Sequence, residues 1–142
     1  MSYNLNRFIE AQNAKFDGYE AALDEIKRGR KQGHWIWYIF PQLKELGKSY
    51  NAKYYGIDGM GEAIAYLADP ILRKRLIEIT QALLALDEVN LISVLGHTDA
   101  MKVKSCMTLF LKIEPECTIF RAVIDKFYNG QVDNRTLDLL IL

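Results

Sequence analysis

Apolar residues recur every three to four positions along most of this chain, the period that lines them up on one stripe of an α-helix. The clearest stripe is Leu72, Leu76, Ile79, Leu83 and Leu86, opened by Asp69 as cap and Pro70 at the first helical position, and it predicts a long central amphipathic helix. Met101, Val103, Met107, Leu109 and Phe110 form a second broad stripe, which predicts a helix from about Asp99 to Lys112 behind a Thr98 cap. Thr118 to Tyr128, closed by Asn129 and Gly130, is a third, and Asn134 to Leu140 a short last one. Upstream, Asn4 or Asn6 caps an opening helix that turns Leu5, Phe8 and Ile9 inward, with Gln12 beyond them. Asp17 with Glu20 makes a capping-box-like start for Tyr19 to Arg28, whose Ala22, Leu23 and Ile26 face inward until Gly29 ends the helix. Ser49 is expected to cap a turn through Tyr55, and Asp58 a helix over Glu62 to Ala68.

Trp35 to Phe40, WIWYIF, departs from that rhythm, since its aromatic and β-branched residues suit a strand as well as a buried helix. No other stretch alternates well enough to pair with a strand there, so a short buried helix is expected. The expected class is all-α, a single compact orthogonal multi-helix domain of about six to eight helices spanning residues 1–142.

The same segment carries the densest chemistry. Gly29 to Gln42 reads GRKQGHWIWYIFPQ, and it sets Arg30, Lys31 and His34 beside Trp35, Trp37, Tyr38 and Phe40. Arginine and lysine hold phosphate or carboxylate oxygens, while an indole face holds a ring. Tyr38 and Gln42 can each bring a polar tip to a pocket edge. A second cluster, His97, Thr98, Asp99, Lys102 and Ser105, falls at a predicted helix start, where backbone amides attract anions. His34, Glu10 and Asp99 are the candidate acids and bases; a Glu10 drawn beside Trp35 would gain a raised pKa, as glycosidic bond cleavage requires. Each group also has a plainer reading. The cations complement the negative end of the preceding helix, the tryptophans fill the core, Thr98 or Asp99 caps a helix, and Arg7 with Glu10 makes a surface pair.

Charge narrows the partners. Eighteen basic residues balance eighteen acidic ones, so no global field favours nucleic acid or an anionic membrane, and a small anionic molecule is the expected partner. Cys106 and Cys117 lie outside any zinc or redox spacing and are read as core residues, and the chain calls for no metal and no cofactor. The N-terminal MSYNLNRFIE lacks the apolar run of a signal peptide, which points to the cytoplasm.

Several stretches are family-like. RFIEAQ (Arg7 to Gln12), Tyr19 with AALDEI, GRKQGHWIWYIFPQ, YYGI, EAIAYL and LGHTDAMKVKSCMTLF together run almost end to end. On these motifs the chain resembles the bacterial family known as domain of unknown function 1810. That resemblance implies a small all-helical single-domain protein and carries no established activity. The expected function is therefore binding of a nucleotide or ADP-ribose-like anion between the Arg30 to Gln42 segment and the start of the Asp99 helix. In its enzymatic version an N-glycosidic or phosphoester bond is hydrolysed. The alternative is a protein-interaction module or homodimer that uses the aromatic segment as its contact surface, and burial of the two tryptophans separates the readings.

Overall fold

The structure is a computed structural model that describes residues 3–141. Among these residues there are ten α-helices: α1 Asn6–Gln12, α2 Tyr19–Lys27, α3 Ile36–Ile39, α4 Tyr50–Tyr54, α5 Gly59–Ala68, α6 Pro70–Leu84, α7 Leu91–Leu95, α8 His97–Ile113, α9 Thr118–Tyr128 and α10 Asn134–Leu140. A 3-10 turn, Lys44–Leu46, follows α3, and the described residues form no strand beyond an isolated parallel bridge between Leu43 and Ile57. The all-α class is thus observed, with more helices than six to eight. The excess lies in α4 and α7, pieces of five residues that are too short to show a period, whereas α3 is the short buried helix expected within Trp35 to Phe40.

Two long helices organise the rest. Helix α6 follows most of its stripe: Leu72, Leu76, Ile79 and Leu83 are buried, and Asp69 Oδ1 accepts from the amides of Ile71 and Leu72 at 3.0 Å each, but the helix ends at Leu84, leaving Leu86 beyond it and only half-buried. It is not, however, the central helix. Ser105 to Phe110 of α8 are six consecutive buried residues, so this stretch of α8 is covered on all sides, with α5, α7, α9 and α10 packed on the helix, while α6 keeps a wet face. Met101, expected inside, is 41% exposed, because it lies on the face of α8 opposite Ala100 and Val103, which are buried. Helix α8 also starts two residues early, at His97, with Gly96 at φ +86° as its cap and no bond from Thr98.

Other starts differ for similar local reasons. Neither Asn4 nor Asn6 caps α1; Leu5 holds that position without a side-chain bond, and the Asn6 amide donates instead to Glu10 at 2.8 Å. Asp17 does not cap α2, whose cap is Gly18, and Asp17 itself takes φ +54°. Ser49 does cap α4, accepting from Ala52 at 3.1 Å, whereas Asp58 stands at the cap of α5 without making the bond.

One buried ion pair ties the N-terminus to this frame. Arg7 donates from Nη1 and Nη2 to Glu62 at 2.8 and 3.1 Å, and Glu62 also accepts from the Asp58 amide at 2.8 Å. The remaining guanidinium donors reach the carbonyls of Tyr54 at 2.7 Å, Asn4 at 2.6 Å and Gly56 at 2.9 Å. Arg7 therefore pairs with Glu62 and not with Glu10, and its donors are spent on holding α1, α4 and α5 together. Removing one partner of such a pair strands a buried charge and costs about 3–5 kcal/mol. Arg7→Met is expected to lower the urea midpoint by that equivalent with an unchanged m value; a loss below about 1 kcal/mol would show the clamp to be dispensable.

Candidate functional site

The segment between α2 and α4 is held by a carboxylate. Gly29, at φ +78°, ends α2 as expected, and the chain then turns back so that Glu25 Oε1 accepts three N–H donors: Gln32 at 2.7 Å, Gly33 at 2.9 Å and the Trp35 indole at 2.9 Å. A Cβ at Gly33 would stand 2.3 Å from Asp17 Oδ1 and 3.0 Å from the Trp35 ring, so a larger residue here would have to displace the Asp17 carboxylate. Burial on its own would raise the Glu25 pKa. The Gly33 and Gln32 amides, the indole and the Lys31 charge outweigh it and hold the carboxyl below its usual range. Glu25 thus fills the place beside Trp35 imagined for Glu10, which is exposed on α1.

Lys31 joins this turn to α7 and α8. Its amide donates to the Val94 carbonyl at 2.8 Å, and its ammonium meets Asp99 Oδ2 at 2.9 Å and lies 5.1 Å from the Trp35 ring centre. Asp99 Oδ1 is 4.0 Å from Lys102, whose ammonium lies 5.3 Å from the Trp37 ring centre. One carboxylate thus stands between two lysines, each over an indole. The two polar clusters of the sequence meet here, and Lys31, Asp99 and Lys102 are all largely buried, with side chains 10%, 18% and 21% exposed.

Burial separates the tryptophans. Trp35 is 0% exposed and cannot receive a ring from solvent, so it is core. Trp37 is half-buried and lines a crevice of about 10 Å3 with Gln42, Tyr55 and Lys102. Its Nε1 is the one buried side-chain polar atom without a hydrogen-bond partner among the described residues. Leaving such a donor unpaired costs roughly 1–3 kcal/mol.

The other sequence candidates are scattered by the fold. Tyr38 is buried and donates to the Asp17 carbonyl at 2.6 Å, and burial together with the Asp17 charge pushes its pKa up to about 12, so it braces the segment and is not a pocket rim. Ser105 turns away to Asp133 at 2.7 Å, where Thr136 also donates, and so locks α10 to α8. Arg30, His34 and His97 are exposed, and none makes a side-chain hydrogen bond or ion pair among the described residues. Cys106 is fully buried, which raises its pKa well above the ordinary thiol value and makes it a core residue.

Glu25 escaped the sequence reading, although a signal existed. A carboxylate in the last turn of a helix opposes the helix dipole, and its presence in DEIKRG implies a specific partner.

The geometry defines a compact all-α domain in which a partly buried lysine–carboxylate–lysine array lies over two indoles. The chain belongs to the family described as protein of unknown function (DUF1810), whose model matches residues 2–140. A solved structure, the crystal structure of the conserved hypothetical protein Rv1873 from Mycobacterium tuberculosis, is similar to it at 38% identity and a TM-score of 0.93, covering 99% of this chain and 98% of that one. A search of the curated proteins finds no match.

A depressed carboxyl pKa contributes stability above the unfolded-state value and loses it as pH falls through the folded value. Glu25→Gln is therefore expected to cost about 1.5 kcal/mol near pH 7, with the gap to wild type narrowing below the ordinary carboxyl value of 4.5. Thermal melts across the acid range check this; a gap independent of pH would refute a charged Glu25 as the cap.

Proposed function

We propose that the protein binds a small anionic ligand of the nucleotide or ADP-ribose class where the 29–42 segment meets the start of α8. The unpaired Trp37 indole N–H carries this reading. Trp37 lines its small crevice together with Lys102 and Gln42, residues that carry an ammonium and an amide donor beside the indole, and the crevice has room for about a single oxygen. A phosphate or carboxylate oxygen fits that set, with the remainder of the ligand outside the crevice. Helix α8 adds to it, since no side chain caps its N-terminus. Arg30, His34 and His97 are chain neighbours of Lys31 and Asp99 with uncommitted side chains, and they are the groups that would reach the outer part of the ligand.

The geometry supports binding better than hydrolysis. Asp99 is committed to two lysines and Glu10 to Asn6, which leaves only the exposed imidazoles as acids or bases. The alternative of an aromatic contact surface draws little support, because Trp35, Tyr38 and Phe40 lie inside the core.

Thermal-shift measurements with nucleotides, NAD, ADP-ribose and sugar phosphates test the reading. A ligand at a hundredfold excess over its Kd stabilises the fold by about 2.7 kcal/mol, a shift of several degrees. Trp37→Phe, which removes the donor, is expected to keep the ligand-free midpoint within about 1 kcal/mol of wild type and to abolish the shift, as is Lys102→Gln. Equal shifts in both variants, or no shift with any ligand, would overturn the proposal.

A further inference from the structure

A larger depression of about 300 Å3 opens between the N-terminal residues, the 3-10 turn, α4 and the start of α5. It shares only Gly56 with the Trp37 crevice. Its floor is the Arg7–Glu62 pair, which is electrically neutral and whose guanidinium donors are all used, so the floor offers an anion nothing. The rim differs. Lys44, Lys53 and Asp58 line it, all exposed, and none enters an ion pair among the described residues, so two ammoniums face one carboxylate there.

Tyr54 lines the same depression, and the i, i+4 spacing on α4 stacks it on Tyr50, with ring centres 5.9 Å apart and planes 7° from parallel. Tyr55 braces Tyr54 edge-on at 4.8 Å, which fixes the orientation of the stack. Yet the stack is wet, with Tyr50 78% and Tyr54 44% exposed. Tyr54 and the two lysines line one depression, and Tyr50 extends the aromatic surface beyond it, an arrangement of the kind that takes a base on a flat face and a phosphate at its edge.

We propose that this cleft is a second binding site, separate from the Trp37 crevice, for a planar heterocycle that carries a phosphate, the nucleoside monophosphate class. The ring lies on the Tyr50–Tyr54 stack and the phosphate between Lys44 and Lys53. Neither group suffices alone, so the nucleotide outcompetes both its nucleoside and inorganic phosphate.

The test is a titration of the 15N-labelled full chain with AMP, adenosine and inorganic phosphate, followed by amide shifts. AMP is expected to move the amides of residues 44 and 50–56 and to bind at least about tenfold more tightly than either fragment. Tyr50→Ala with Tyr54→Ala weakens AMP by about tenfold or more and leaves the phosphate response unchanged, whereas Lys44→Gln with Lys53→Gln abolishes the phosphate response. Trp37→Phe leaves all of these shifts in place, so failure at the crevice and failure here are told apart. Shifts confined to other residues, phosphate binding as strong as that of AMP, no response to AMP, or an AMP affinity indifferent to the tyrosine pair would each overturn the proposal.

Discussion

The arrangement rests on one carboxylate oxygen. Glu25 Oε1 takes the amides of Gln32 and Gly33 and the Trp35 indole, and this lets a chain leaving α2 reverse and drive Trp35 to complete burial. An indole N–H entering an apolar core needs an acceptor, and here the acceptor is a helix-borne charge fixed one turn from the helix end. Without it the WIWYIF turn would have neither its entry angle nor a satisfied polar atom at its deepest ring.

From that anchor the remaining contacts follow in order. Lys31 is carried to Val94 and Asp99, so the turn is fastened to α7 and to the first turn of the most deeply buried helix. Asp99 holds Lys31 at 2.9 Å and Lys102 at 4.0 Å, which places both ammoniums over indole faces in a partly dry setting where cation–π attraction is stronger than in water. Trp37 is the ring left without an acceptor. Its indole N–H is the one buried side-chain donor that no protein acceptor satisfies among the described residues, which is the observation the proposed site rests on.

The long elements were legible in the sequence because period and caps agree. Asp69–Pro70 and the α6 stripe, the Gly29 stop, the Asn129 and Gly130 end of α9 at φ +54° and +75°, and the α10 bounds all stand as expected. Short α7 was not: Leu91–Leu95 has an Asn90 cap accepting from Ile92 at 3.0 Å and a Gly96 stop, but five residues give no period. The candidate site was legible as a region and not as roles. Residue types placed Lys31, Trp37, Asp99, Lys102 and Gln42 on the list, and the fold assembles them. Tyr38, Ser105 and Trp35 shared those types, yet they were drawn into the core or into α10 contacts that no local pattern announces. Arg7 shows the same limit, since its partner Glu62 lies 55 positions away.

Two tryptophans in one short segment make the central claim directly measurable. Each gives one indole N–H resonance in a 1H–15N spectrum of the labelled protein: Trp35, bonded to Glu25, and Trp37, without an acceptor. On addition of ADP-ribose or inorganic pyrophosphate, the account predicts that the Trp37 indole proton moves downfield as it gains an oxygen acceptor while the Trp35 resonance stays in place as an internal control. A Trp37 resonance that remains fixed, or the two moving together, would contradict it.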